Sequence, residues 1–81
     1  MKRKIAAALQ SGNFVLTLHA IERMEERSVL RGDILSCGRT IRSCRYQPED
    51  GTFLVSGKDM DGILLQVVCG IENGIIIVTL F

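Results

Sequence analysis

Eighty-one residues, 47% apolar and 23% charged, make one globular domain and exclude a disordered tail, a collagen-like repeat and a coiled coil. A chain this short buries only roughly 60–65% of the surface its unfolded form exposes, so function belongs on a surface or a shallow cleft rather than in a deep cofactor pocket. The net charge of +1 hides nine Lys/Arg against four Asp/Glu in residues 1–45 and one against five in 46–81, and the basic half points to a polyanion or an acidic partner.

Residues 2–11 read as a short helix with Ile5, Ala8 and Leu9 on one face and Gly12-Asn13 as its stop. Phe14-Val15-Leu16 is a short strand or an apolar plug leading into the next helix. Thr17 stands where an N-cap belongs, able to accept from the Ala20 amide, and good helix formers continue from Leu18 to about Arg27. A further helix is expected from Arg31 to Cys37, ending at Gly38.

After Gly38 the pattern becomes that of strands. Thr40–Tyr46 is a strand, Gln47-Pro48-Glu49-Asp50-Gly51 a turn, and Thr52–Lys58 a second strand. Asp61-Gly62 is a hairpin signal before Ile63–Ile71, and Asn73-Gly74 fits a type I′ turn before Ile75–Phe81. The expected architecture is α+β, with N-terminal helices packed on a C-terminal antiparallel meander. The last two strands are apolar on both faces, and a single helical layer covers only one. The other face is expected to meet a partner or to curl on itself, since an exposed apolar strand invites aggregation.

Cys37, Cys44 and Cys69 form no C-x-x-C pair, which favours a reducing cytoplasm over a disulfide framework. A zinc site would need all three to converge with His19 from distant segments without a recognised spacing, so buried thiols are expected and no metal or cofactor is implied. The apolar run after Lys2-Arg3-Lys4 is too short for a signal peptide, and no stretch reaches the ~18 apolar residues of a membrane span. Asp59-x-Asp61-Gly62 lacks the further ligands of a calcium loop and reads as a turn. Lys2-Arg3-Lys4 by itself reads as a frayed, solvated terminus.

The segment 17–27 carries the chemistry. Residues four apart on a helix lie nearly above one another, so His19, Arg23 and Arg27 form one polar stripe while Ala20, Ile21 and Met24 turn to the core. An imidazole beside two guanidinium groups suits a phosphodiester: the Arg groups hold the phosphate and stabilise developing charge, and the imidazole moves a proton. The same stripe also reads as ordinary surface pairs, because Glu22 and Glu26 sit at i,i+3 and i,i+4 spacing among the Arg residues. Arg39, Arg42 and Arg45 either extend a phosphate-binding surface or protect a strand edge.

The run Thr17-x-His19-Ala20-x-x-Arg23-Met24-x-x-Arg27 with Asp33-Ile34, the hairpin Val55-Ser56-Gly57-x-Asp59-x-Asp61-Gly62, and Asn73-Gly74 before the apolar end resemble the DUF4258 family of small bacterial domains, over nearly the whole chain from about Ile5. That resemblance implies a fold similar to the RelE-like and barnase-like ribonucleases. It further implies a metal-independent toxin endoribonuclease encoded beside a zinc-finger/helix-turn-helix antitoxin-like protein. His19 would be the acid/base, Arg23 and Arg27 would bind phosphate, and Tyr46, the only tyrosine, would be the remaining acid/base unless ribosome-bound RNA supplies it. Arg23, Arg27, Arg39, Arg42 and Arg45 would contact RNA, free or on the ribosome. The alternative is a non-catalytic module that binds RNA or an acidic partner protein. In either case a homodimer through the uncovered sheet face is an expected partner arrangement.

Overall fold

In α1 (Lys2–Ser11) Ile5 and Leu9 are buried one turn apart on a single face, and Gly12 closes the helix in the left-handed conformation at φ 78°. The helix begins at Lys2, so the basic N-terminal run is helical rather than frayed. The computed structural model describes residues 1–81. β1 (Phe14–Leu16) follows, then α2 (Leu18–Arg27), with Thr17 as N-cap accepting from the Ala20 amide at 3.1 Å.

α3 (Arg31–Arg39) runs past the stop expected at Gly38. That glycine is buried inside the helix, and a Cβ on it would lie 2.6 Å from Cβ of Leu9. It serves the close crossing of α1 and α3 instead of a helix end. At the other end of α3 no polar side chain stands at the N-cap, Leu30. Asp33 replaces it: Oδ2 accepts from the Leu30 amide at 2.8 Å and Oδ1 from the Met60 amide at 3.0 Å. One buried carboxylate thus caps α3 and fastens it to the turn after the third strand.

The strands are β2 (Ser43–Gln47), β3 (Thr52–Lys58), β4 (Leu64–Ile71) and β5 (Ile75–Leu80). They pair antiparallel in sequence order, as the turn signals imply. Asn73 and Gly74 both take positive φ between β4 and β5. The Asp59 carboxylate accepts from the Asp61 and Ile63 amides at 2.9 and 2.8 Å, which makes that segment an Asx turn. The sheet is nonetheless mixed, in the order β1-β5-β4-β3-β2, because Phe14–Leu16 is a strand and pairs parallel to β5. The chain is therefore α+β, with three helices before a five-stranded sheet in which only β1 precedes α2.

Paired residues share a face, which sorts the sheet into two sides. Val55, Leu65, Val67, Cys69, Ile75, Ile77 and Leu80 join Ile5, Leu9, Ala20 and Ile34 in one buried cluster under the helices. Gly57 lets α3 descend onto β3: a Cβ there would lie 2.5 Å from the Cys37 carbonyl oxygen. The opposite side carries Leu54, Val68, Ile76 and Val78, with Val15 and Leu64 exposed, and no helix crosses it.

Between β4 and β5 the register slips. Val68 pairs with Thr79 but Cys69 with Ile77, so Val78 is an extra residue in the ladder. Its carbonyl oxygen faces the start of α2. It accepts the Thr17 hydroxyl at 2.7 Å, the same hydroxyl that caps α2.

Candidate functional site

α2 is held over β5 and β1 by its own sequence. Ala20 is fully buried between helix and sheet, and Met24 packs beside the core one turn on. Thr17 fixes the start of the helix to the Val78 bulge. One turn past His19, Arg23 Nε donates to the Leu80 carbonyl oxygen at 3.1 Å. These two bonds set the height and rotation of the helix on the sheet.

The stripe expected from the spacing is present, and its members differ. His19 is exposed in the first turn and its ring makes no hydrogen bond within the chain. Arg23 is half-buried: Nε is engaged by Leu80, and one terminal nitrogen lies 3.9 Å from Glu26, the i,i+3 pair anticipated from the sequence. Arg27 is exposed in the last turn, where a cation suits the helix C-terminus. Leu80 as the partner of Arg23 has no signal in the local sequence, because the two are 57 residues apart. A groove of about 640 Å³, lined by Leu16, Ile21, Met24 and Val29, lies on the far side of α2 from His19.

The remaining candidates are not brought to this stripe. Tyr46 lies on β2, its ring tilted against Phe53 at 5.1 Å between centroids, with β3 and β4 between its strand and β5. Three strand spacings make roughly 14 Å, too far for Tyr46 and His19 to serve one phosphate. Arg39, Arg42 and Arg45 do not lie on one element. Arg39 ends α3, Arg42 lies in the connection, and Arg45 is on β2. All three are exposed at the edge opposite α2.

The cysteines are free, and Cys37 and Cys69 are buried. Burial pushes the Cys37 thiol up to about 11 and Cys69 to about 12. Thiols held so firmly protonated behave as small core residues and are poor nucleophiles. No helix is long and apolar enough to cross a membrane.

The family described as Domain of unknown function (DUF4258) matches residues 16–81 of this chain. The chain belongs to the DUF4258 family. The match covers α2, α3 and β2 to β5, and it starts at Leu16, short of the Ile5 to which the sequence resemblance reaches. α1 therefore lies outside it, although Ile5 and Leu9 are integral to the core. No curated protein and no solved structure matches the chain.

Proposed function

We propose that this DUF4258 protein is a metal-independent endoribonuclease of the toxin type. The observation that carries the reading is His19: an exposed imidazole with no bond within the chain, on a helix anchored at Thr17 and Arg23, above an exposed cation at Arg27. In its neutral form the ring accepts the proton of a 2′-hydroxyl. The 2′-oxygen attacks the adjacent phosphorus, the P–O5′ bond breaks, and a 2′,3′-cyclic phosphate and a 5′-hydroxyl result. The leaving oxygen takes its proton from the imidazolium or from water. Arg27 and the free end of the Arg23 guanidinium stabilise the charge that gathers on the phosphoryl oxygens. With Tyr46 across the sheet, His19 is the one acid/base of the reaction. The work would take place in the cytoplasm, on free or ribosome-bound RNA. The open sheet face would seat a second copy or a zinc-finger/helix-turn-helix antitoxin-like protein.

Removal of one general acid/base typically costs 10²–10⁴-fold. His19→Ala should therefore abolish RNA cleavage and growth inhibition while leaving the thermal midpoint unchanged. Intact RNA after incubation with the wild-type protein, with and without ribosomes, overturns the reading.

A second reading, a non-catalytic module for RNA or an acidic partner, is favoured by the engagement of Arg23 Nε and by the distance of Tyr46. In that case His19→Ala leaves binding intact, and Arg27→Ala weakens it in a salt-dependent way.

A further inference from the structure

The cations of this chain fall into two populations. Those of α2 and the start of α3 are already engaged or surrounded: Arg23 by Leu80 and Glu26, and Arg31 by the Gly12 carbonyl oxygen at 2.6 Å and the face of Phe14 at 4.4 Å. Arg27 follows Glu22, Glu25 and Glu26 on the same helix. The others, Lys4 and Lys58 among them, are free. Lys2, Arg3, Arg39, Arg42 and Arg45 are all exposed, and none of their side chains takes part in a salt bridge or hydrogen bond. There is no acid in residues 1–21 or 34–48 to offset them.

The fold gathers four of these on the helix side of the β2 edge, while Arg45, paired with Leu54, points to the open face across the same edge. α1 packs on α3 with Leu9 against Gly38, so the C-terminal end of α3 and the chain that follows run beside α1. That chain leads through Arg42 directly into β2, the free edge of the sheet. The other end of α1 comes close to the same strand: burial raises the Cys44 thiol, while the positive charges of the N-terminus and Lys2 act on it in the opposite direction. On the helix side of β2 stands Tyr46, 53% exposed and braced by Phe53. Arg42 precedes this ring by four residues on the same face, and Glu49 and Asp50 follow it in the turn. A braced, exposed ring on a strand edge that also carries unpaired cations suits a single-stranded nucleic acid, with phosphates on the charges and a base on the ring. A protein partner could also anchor on the ring, so competition by polyglutamate is the arm that separates the two.

We propose that the β2 edge is a binding surface for single-stranded RNA, with Arg42 and Arg45 on the phosphates, Arg39, Lys2 and Arg3 widening the positive field, and Tyr46 stacking on a base. The surface is separate from the His19 stripe. It would hold the strand and the stripe would act on it, so the inference takes its ligand class from the ribonuclease reading.

The test uses the full chain carrying His19→Ala and a fluorescein-labelled twelve-nucleotide oligouridylate, with anisotropy read over a salt series. Arg42→Ala/Arg45→Ala should weaken binding at least tenfold and flatten the log–log salt slope by about 1.4, at roughly 0.7 per lost phosphate contact. Arg42→Lys/Arg45→Lys should keep most of the affinity, which separates lost charge from lost fold. Tyr46→Ala should weaken binding several-fold and leave the slope unchanged. Unaltered affinity in the double alanine variant overturns the inference, as does displacement of the RNA by an equal charge of polyglutamate. If Arg27→Ala alone abolishes binding, the β2 edge is wrong and the ribonuclease reading survives. If RNA binds at the β2 edge and His19→Ala cleaves it as fast as wild type, the ribonuclease reading fails and the β2 surface stands.

Discussion

Arg23 Nε lies 3.1 Å from the Leu80 carbonyl oxygen, and this bond ties the second turn of the His19 helix to the end of β5. The arginine is therefore a strut as well as a candidate phosphate ligand. A hydrogen bond from a charged donor contributes more than a neutral one, and partial exposure reduces the gain. Arg23→Ala should destabilise the fold by about 1 kcal/mol, seen as a lower urea midpoint, whereas Arg27→Ala should leave that midpoint unchanged. Equal midpoints for the two variants would show that the Leu80 bond contributes nothing.

Two glycines hold α3 at its working distance. A methyl at Gly57 would meet the Cys37 carbonyl oxygen at 2.5 Å and its Sγ at 2.9 Å, and a methyl at Gly38 would meet Leu9 at 2.6 Å and the Gln10 amide nitrogen at 3.0 Å. Forcing extra carbon into a packed contact costs about 1–3 kcal/mol. Gly57→Ala should lie at the upper end because it strikes backbone. Gly38→Ala recovers up to about 1 kcal/mol of helix propensity and should lose less. Gly51→Ala is a comparison of another kind, since that site is spatially open and strained only by its φ of 69°.

Asp33 serves two amides with one carboxylate, at Leu30 and Met60. Asp33→Ala leaves both without a partner and should cost about 2–4 kcal/mol. Asp33→Asn keeps one acceptor and should fall between the two. Amide exchange should show a local signature in the alanine variant, with the Met60 amide losing protection ahead of the central strands.

Buried thiols give the fold an alkaline limit. Cys37 and Cys69 titrate at about 11 and about 12 in the folded chain against an ordinary value of 9.0, because burial disfavours the thiolate. Between those values the folded state holds more protons than the unfolded one, so stability is full below about pH 9 and falls as pH rises through the folded values. Urea midpoints at pH 8 and pH 10.5 should differ in that direction. Cys37→Ala and Cys69→Ala should each shrink the difference while lowering both midpoints. With a thiol reagent at neutral pH, half-buried Cys44 should react first and the other two only on unfolding.

The local signals were strong where the chain speaks to itself. Thr17 as cap, Gly12 as stop, the limits of α1 and α2, and the Asn73-Gly74 turn all follow from residues a few positions apart. What depends on distant partners was not legible. A three-residue strand has no period to read, so only contact with β5 shows that Phe14–Leu16 is a strand at all. Gly38 looks like a helix end until Leu9 is seen against it. Of the candidate site, the His19-Arg23-Arg27 stripe was readable from spacing. The separation of Tyr46 and Arg39, Arg42 and Arg45 from it needed the strand order, which no local pattern encodes.

The parallel pairing of β1 with β5 also sets an order of assembly. β2 to β5 meet through short turns, whereas Thr17 and Arg23 reach their partners 61 and 57 residues away. Contacts that close such long loops form late and slow the search for the native state. The His19 helix can be seated only after β5 has its bulge at Val78, so the element that carries the candidate chemistry is among the last to dock. A nascent or partly unfolded chain would then hold its sheet before the His19 stripe is seated on it.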